Sequence, residues 1–144
     1  MQIQREAITS ATVLNLTSTV LSALTTDQIV GLGTNQAIAL NSNNINALLT
    51  TQIAAFETRD LATLLTGAIA KLTSDQVAAF KVAQIAAMRS DQVVAIESND
   101  LAGLDSDRIA AFTTSQVFVM TSDQIRALGT DQVTYIETRD VAVL

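Results

Sequence analysis

Large apolar residues recur at two fixed places in every eight residues of the chain. Counted in octads from Met1, position 8 is large and apolar throughout, and position 5 is Val, Ile or Leu except at Arg5 and Ala37. Positions 2 to 4 are mostly polar, as in the octad TSDQVAAF at 73–80. Since 144 residues make eighteen octads with none left over, the repeat organises the whole chain.

The eight-residue period excludes a single long element. A continuous α-helix would rotate the apolar stripe by about 80° per octad and spread it around the helix. A continuous strand would send positions 5 and 8 to opposite faces, because their separation is odd. The chain therefore has to change direction within every octad.

One short helix per octad places positions 5 and 8 on the same face. Ser or Thr occupies position 2 in sixteen octads, which predicts an N-cap there, and Asp at position 3 suits the first helical turn. Position 1 then follows the helix end. Gly33, Asn41 and Gly129 at position 1 predict left-handed C-terminal caps.

Helices of about six residues are not stable alone, so packing between units has to stabilise them. The prediction is an all-α solenoid, a superhelix of very short helices in which each octad contacts mainly its neighbours. Ala pairs at positions 6 and 7 favour close approach of successive turns. The alternative is a β-solenoid with two octads per coil, which Val and Ile at position 5 favour and Ala at positions 6 and 7 disfavour.

Residues 1–144 are predicted to form one domain, because no Pro- or Gly-rich linker divides them. Residues 1–24 are degenerate repeats, with Arg5 and Glu6 at normally apolar or small positions, and predict a polar unit that covers one end of the solenoid. Residues 25–144 are regular. An asparagine cluster is typical of turns and caps, with a local recognition surface as the alternative; it comprises Asn35, Asn41, Asn43, Asn44 and Asn46.

A second period of five octads relates the octads 57–64, 97–104 and 137–144, which carry Glu at position 1 and Asp at position 4. Two carboxylates are few ligands for Ca²⁺, their spacing is not that of an EF-hand loop, and Arg59 and Arg139 neutralise them. Duplication of a five-octad block explains the period, and no metal site is predicted. The carboxylate pairs are Glu57/Asp60, Glu97/Asp100 and Glu137/Asp140.

Composition narrows the classes of function. A net charge of −6 without a basic cluster argues against a nucleic-acid partner. The absence of His and Cys excludes the usual metal sites, cysteine nucleophiles and histidine triads, and no glycine-rich phosphate loop is present. We therefore expect no catalytic residue, no cofactor and no metal. No apolar run approaches the length of a transmembrane helix, and the first octad lacks the layout of a secretory signal.

The C-terminal octads carry larger side chains than the rest of the repeat. Phe118, Val119 and Tyr135 replace small residues at positions 6 and 7, and the sequence ends on the core-type residue Leu144. These four residues are the candidate self-assembly interface. Stacking of one end on the other would be a heterologous contact, which builds filaments rather than closed rings. The alternative is that this end packs against further octads of a longer repeat array.

The octads TTDQIVGL, TSDQVAAF and TSDQIRAL, at 25–32, 73–80 and 121–128, resemble the T-x-D-Q-[I/V]-A-A-L octapeptide arrays of large repetitive proteobacterial proteins, often described as surface, adhesin-like or secreted. The resemblance covers almost the whole chain. It implies a structural or adhesive role on the cell surface or outside the cell, and supplies no catalytic residue. The first hypothesis is a non-catalytic rod or filament. The alternative is a binding solenoid that presents its polar edge to a protein or glycan.

Overall fold

The computed structural model describes residue 13 and residues 15–140, with side chains to residue 136. Within this part of the chain there are fourteen short α-helices, one 3₁₀ helix and no strand. The all-α solenoid is confirmed and the β-solenoid alternative is wrong. In chain order the elements are α1 Ser18–Ala23, α2 Thr26–Val30, α3 Thr34–Ala37, the 3₁₀ helix Ile45–Ala47, α4 Thr50–Ala55, α5 Thr58–Leu61, α6 Thr66–Ile69, α7 Ser74–Ala78, α8 Val82–Ala87, α9 Ser90–Ala95, α10 Ser98–Ala102, α11 Ser106–Ala110, α12 Thr114–Phe118, α13 Ser122–Ala127 and α14 Thr130–Asp140.

Each of these α-helices begins at position 2, so position 1 is the N-cap and the predicted cap at position 2 is wrong by one residue. Thr73 shows the arrangement: its hydroxyl accepts the backbone N–H of Gln76 at 3.2 Å. The Gln76 side chain reaches back and accepts the N–H of Thr73 at 2.9 Å. This is a capping box between the residues at positions 1 and 4 of the octad, and it fixes the start of the helix.

The links between helices use extended backbone and need no left-handed residue. Phe56 at position 8 has φ −60° and ψ 136°, and Leu49 at position 1 has φ −74° and ψ 157°. No described residue has a positive φ, and Gly33 is an N-cap at φ −91°. The left-handed caps predicted for Gly33, Asn41 and Gly129 are therefore wrong, because position 1 starts a helix instead of ending one.

Two octads depart from one α-helix per unit. The asparagine-rich octad 41–48 forms only the 3₁₀ helix, and Asn41 uses its Oδ1 to accept the N–H of Asn43 at 2.8 Å. Such local side-chain bonds compete with helical hydrogen bonding. At the other end of the described chain, α14 continues through the junction at Ile136, so that it spans eleven residues.

Octads pack mainly against octads that lie one superhelical coil away. The helices that pack together most extensively are three octads apart, such as α7 with α10 and α10 with α13. Side-chain hydrogen bonds between coils join residues 28 and 31 apart in sequence. The predicted dominance of contacts between consecutive octads is therefore wrong. One short helix and its link turn the chain only part of the way round, so that between three and four octads complete a coil.

The core is one continuous column of position-5 and position-8 side chains, as the sequence pattern predicted. Ile85, Val93 and Leu101 at position 5 are fully buried, and Phe80 and Phe112 fill position 8. Ala37 is buried in the same column despite its small size. None of the described helices is long and apolar enough to cross a membrane.

Candidate functional site: the inter-coil glutamine clamps and the surfaces they leave open

Each position-4 glutamine of the inner coils joins its own helix start to the preceding coil. In Gln92, Oε1 accepts the N–H of Arg89 at 2.9 Å, while Nε2 donates to the carbonyls of Leu61 at 3.0 Å and Leu64 at 2.8 Å. These carbonyls lie at positions 5 and 8, at the end of a short helix, where few intrahelical donors remain. The Leu61 carbonyl also accepts the N–H of Leu64 at 3.1 Å. We call this three-point arrangement the glutamine clamp. It recurs at Gln52, Gln76, Gln84, Gln116, Gln124 and Gln132.

The clamps are buried polar networks with every hydrogen-bonding group used. Gln92 is fully buried, and the other clamp glutamines are at most slightly exposed, apart from Gln132 in the last coil. A buried amide of this kind stabilises a structure only when its donors and acceptor are all satisfied. The clamps therefore fix how one coil sits on the next, in addition to the apolar packing between them.

Sequence reasoning did not find the role of these glutamines. It placed position 4 in the body of the helix and gave it no partner. The carbonyl partners lie 28 and 31 residues earlier in the chain, beyond the reach of a local pattern. The available signal was composition. Position 4 holds Gln ten times, and its commonest other residue is Asp. A solvent-facing helix position would be expected to show Lys and Glu as well.

Other residues at position 4 weaken or alter the clamp. Asn44 keeps a shortened version, in which Oδ1 accepts the N–H of Asn41 at 2.7 Å and Nδ2 lies 3.5 Å from the carbonyl of Val13. Arg108 donates from Nε to the carbonyl of Phe80, one coil earlier. Ala68 has no side-chain donor at all.

Asp60 puts a carboxyl group where a clamp would donate. The side chain is 1% exposed, and its Oδ1 has no hydrogen-bond partner. Burial raises the pKa of the Asp60 carboxyl above its usual value of 3.8, while Arg59 opposes the rise and Glu57 adds to it. Arg59 Nε lies 3.5 Å from Asp60 Oδ1 and 3.4 Å from Glu57 Oε2.

The carboxylate pairs do not assemble into a metal centre in the described part of the chain, where no three acidic side chains come together. Arg59 faces both members of the first pair, as the sequence indicated. In the second pair, Asp100 accepts a hydrogen bond from the hydroxyl of Ser74. The side chains of Glu137 and Asp140 lie outside the described residues.

The last described coil exposes a core position that is covered in the inner coils, together with large apolar side chains at positions 6 and 7. Ile125 at position 5 is 38% exposed, whereas Ile85, at the same position of an inner coil, is 1% exposed. Phe118 is 79% exposed, and Val119 and Tyr135 are also exposed. Because α12 packs against α14, the Phe118 and Tyr135 helices belong to one surface. We call Phe118, Val119, Ile125 and Tyr135 the end patch; Leu144 lies outside the described residues.

A groove of about 500 Å³ crosses the side of the solenoid where three octads from successive coils stack. Its base is octad 65–72, where Gly67 and Ala68 stand in place of the usual Asp and Gln. A Cβ atom added at Gly67 would meet no atom within 4 Å. The lining residues are Asn41, Ser42, Leu65, Thr66, Gly67, Ala68, Arg89 and Asp91.

Comparison with known families identifies the repeat. The family model described as the ALTTAQ repeat matches residues 53–90 and 93–130, together just over half of the chain. The two matches begin five octads apart, as do the Asp-containing octads. The motif corresponds to positions 7, 8, 1, 2, 3 and 4, and occurs with one change as ALTTDQ at 23–28. Its last residue falls at position 4, where the clamp glutamines lie. Searches of curated proteins and of solved structures gave no match.

Proposed function

Because the chain belongs to the ALTTAQ repeat family, we propose that it is a non-catalytic structural module that forms a rod and extends it by stacking coil on coil. The glutamine clamps are the observation that supports this role. They repeat the same hydrogen bonds between coils along the solenoid, and their amide groups bind backbone groups of the chain itself. The resemblance to surface-associated octapeptide arrays supports a place on the cell surface or outside the cell.

The clamp register also describes how a further coil would join. The carbonyls of Val117 and Met120 occupy the places that Leu61 and Leu64 occupy beneath Gln92. A glutamine at position 4 of a nineteenth octad would donate to both carbonyls in the same register. A second copy of the chain can supply such octads, since its own repeats carry the same motif.

The end patch supplies the apolar part of this contact. Its four side chains include two aromatic rings, and a coil stacked on Ile125 would bury it as Ile85 is buried in the inner coils. Burial of each large apolar side chain contributes about 1.5–3 kcal/mol before ordering costs are subtracted. One end meeting the opposite end of the next copy would give an open filament.

Sedimentation across a wide range of concentration tests the proposal. We expect the weight-average sedimentation coefficient of the wild-type chain to rise with concentration, with filaments of uniform width in electron micrographs. Phe118→Asp should suppress the rise, because it places a charge in the end patch. Val82→Asp is the matched control: Val82 is 51% exposed on an inner coil, and its replacement should leave assembly unchanged.

A wild-type chain that stays monomeric at every concentration would contradict the filament. So would equal effects of Phe118→Asp and Val82→Asp, because the contact would then not depend on the end patch.

A binding solenoid is the second candidate function, and the groove is the observation that favours it. The groove lies at one of the octads that lack a glutamine clamp, and its rim carries both charged and uncharged polar side chains. A rod that displays such a groove can be structural and bind a partner at once.

A further inference from the structure

Among the described residues, Phe118 is the most exposed large apolar side chain, at 79%. It lies at position 6 of its octad, and position 6 faces solvent in other coils as well: Val30 is 42% exposed and Val94 is 41% exposed. The ring is therefore exposed to the side of the solenoid and not only at its end. A coil stacked on the end patch would leave part of the ring accessible from the side.

Phe118 and the groove lie on the same side of the solenoid. The groove is lined by residues of octads 41–48, 65–72 and 89–96, and Phe118 belongs to octad 113–120. Because α6 packs against α9, and α9 packs against α12, these octads form one stack. Each step between packed helices is about 8–10 Å. Phe118 lies two such steps from octad 65–72, so its ring cannot reach the groove of its own chain.

The four octads of this stack carry little charge, and we call them the neutral face. Their charged residues are Lys71, Arg89 and Asp91, and two positive charges against one negative charge leave a formal charge of +1. The whole chain carries −6, so its excess of negative charge lies elsewhere. Like charges that face each other across an interface are unfavourable, and interface centres are depleted of charged residues. Two copies of the chain can therefore meet through their neutral faces with little repulsion.

The groove has the shape and the lining that suit an aromatic ring. Its base presents Leu65, whose side chain is 50% exposed, next to Gly67. A Cβ atom added at Gly67 would meet no atom within 4 Å, so the space above it is open. The groove volume of about 500 Å³ exceeds that of a phenyl ring. Arg89 on the rim can lie over the face of a ring, a contact that an aliphatic side chain does not offer.

We propose that two copies of the chain pair side by side through their neutral faces, with Phe118 of each copy in the groove of the other, against Leu65 and Gly67. A half-turn about an axis between the two faces exchanges ring and groove, so that both contacts form together and the pair is closed. Because ring and groove are two coils apart, the paired solenoids run in roughly opposite directions. The pairing names the occupant of the groove, the binding site of the second candidate function, and does not depend on end-to-end stacking.

Paramagnetic NMR on a mixture of two chains tests the pairing. One chain is wild type and ¹⁵N-labelled, and the other is unlabelled and carries a nitroxide on Ser115→Cys, an exposed site three residues before Phe118. We expect loss of the amide signals of Leu65 and Gly67 in the labelled chain, because the nitroxide of the partner lies beside them. A nitroxide on Val82→Cys, outside the neutral face, is the matched control and should leave these signals unchanged.

Gly67→Leu should abolish both the signal loss and the pairing measured by sedimentation, because the new side chain fills the groove and meets open space. Ala83→Leu, at the same octad position outside the neutral face, is its matched control and should pair as the wild type does. If Gly67→Leu fails to fold, the two nitroxide positions still decide.

Pairing that survives Gly67→Leu unchanged would overturn the inference. So would signal loss confined to α1, which end-to-end stacking predicts, and the filament would then stand without the side-by-side pair. A wild-type chain that stays monomeric and loses no signal would overturn both.

Discussion

At the residue scale, position 4 decides how strongly one coil holds the next. We expect Gln92→Glu to lower the free energy of unfolding at pH 7 by about 3 kcal/mol, because a buried carboxylate would face the carbonyls of Leu61 and Leu64 in place of a donor. Urea unfolding followed by circular dichroism measures the loss.

Gln28→Glu is the matched control for this prediction. Gln28 accepts the N–H of Thr25 at 2.8 Å, but its side-chain nitrogen donates to no carbonyl of another coil among the described residues. Its replacement should cost less than about 1 kcal/mol. Equal losses for the two variants would mean that the clamps do not stabilise the contact between coils.

Asp60 gives the solenoid a predictable dependence on pH. Its pKa is raised in the folded state by burial, so folding favours the protonated form, and this favourable contribution is lost as pH rises from below 3.8 through the folded pKa. Asp60→Gln removes the titration and restores a clamp. The variant should therefore gain more stability over the wild type at pH 7 than at pH 3.5. Chemical unfolding at both pH values checks this, and a gain that is equal or larger at pH 3.5 would show that Asp60 folds in its ionised form.

At the element scale, the helices differ in how their starts are capped. The N-cap of α8 is Lys81, whose side chain makes no cap hydrogen bond, whereas Thr73 before α7 accepts the N–H of Gln76. Lys81→Thr should stabilise the chain by about 0.5–1 kcal/mol by adding this bond. Lys71→Thr removes the same charge at position 7 and should give no gain. Thermal unfolding of the two variants separates the effect of the cap from that of the charge.

The elements show which parts of the fold the sequence can predict. The burial of positions 5 and 8 and the short helix in each octad follow from local spacing, which is why Val77 and Phe80 lie in the core as expected. The position of the N-cap was also within reach, because Thr73 and Gln76 have the spacing of a capping box. Because Ser and Thr also occupy position 2 in most octads, the N-cap was predicted one residue too late in the chain.

The number of octads in a coil was not within reach of the sequence. It depends on how the backbone angles at positions 8 and 1 add up over several links, and residues as different as Phe56 and Met88 adopt the same extended angles there. For the same reason the partners of the clamp glutamines and the groove beside Ala68 could not be predicted. Of the end patch, Phe118, Val119 and Tyr135 were singled out in the sequence by their size at positions 6 and 7, whereas the exposure of Ile125 was not predicted.

At the scale of the whole molecule, the central claim is that an octad lies closer to the third and fourth octads after it than to the second. The chain has no cysteine, so spin labels can be attached at chosen exposed sites. The most direct measurement compares the label distances of two double variants by electron paramagnetic resonance: Asp75→Cys with Asn99→Cys, and Asp75→Cys with Asp91→Cys. We expect the first distance to be the shorter, because α7 packs against α10 and not extensively against α9. A shorter distance in the second pair would contradict the coil and, with it, the role assigned to the glutamine clamps.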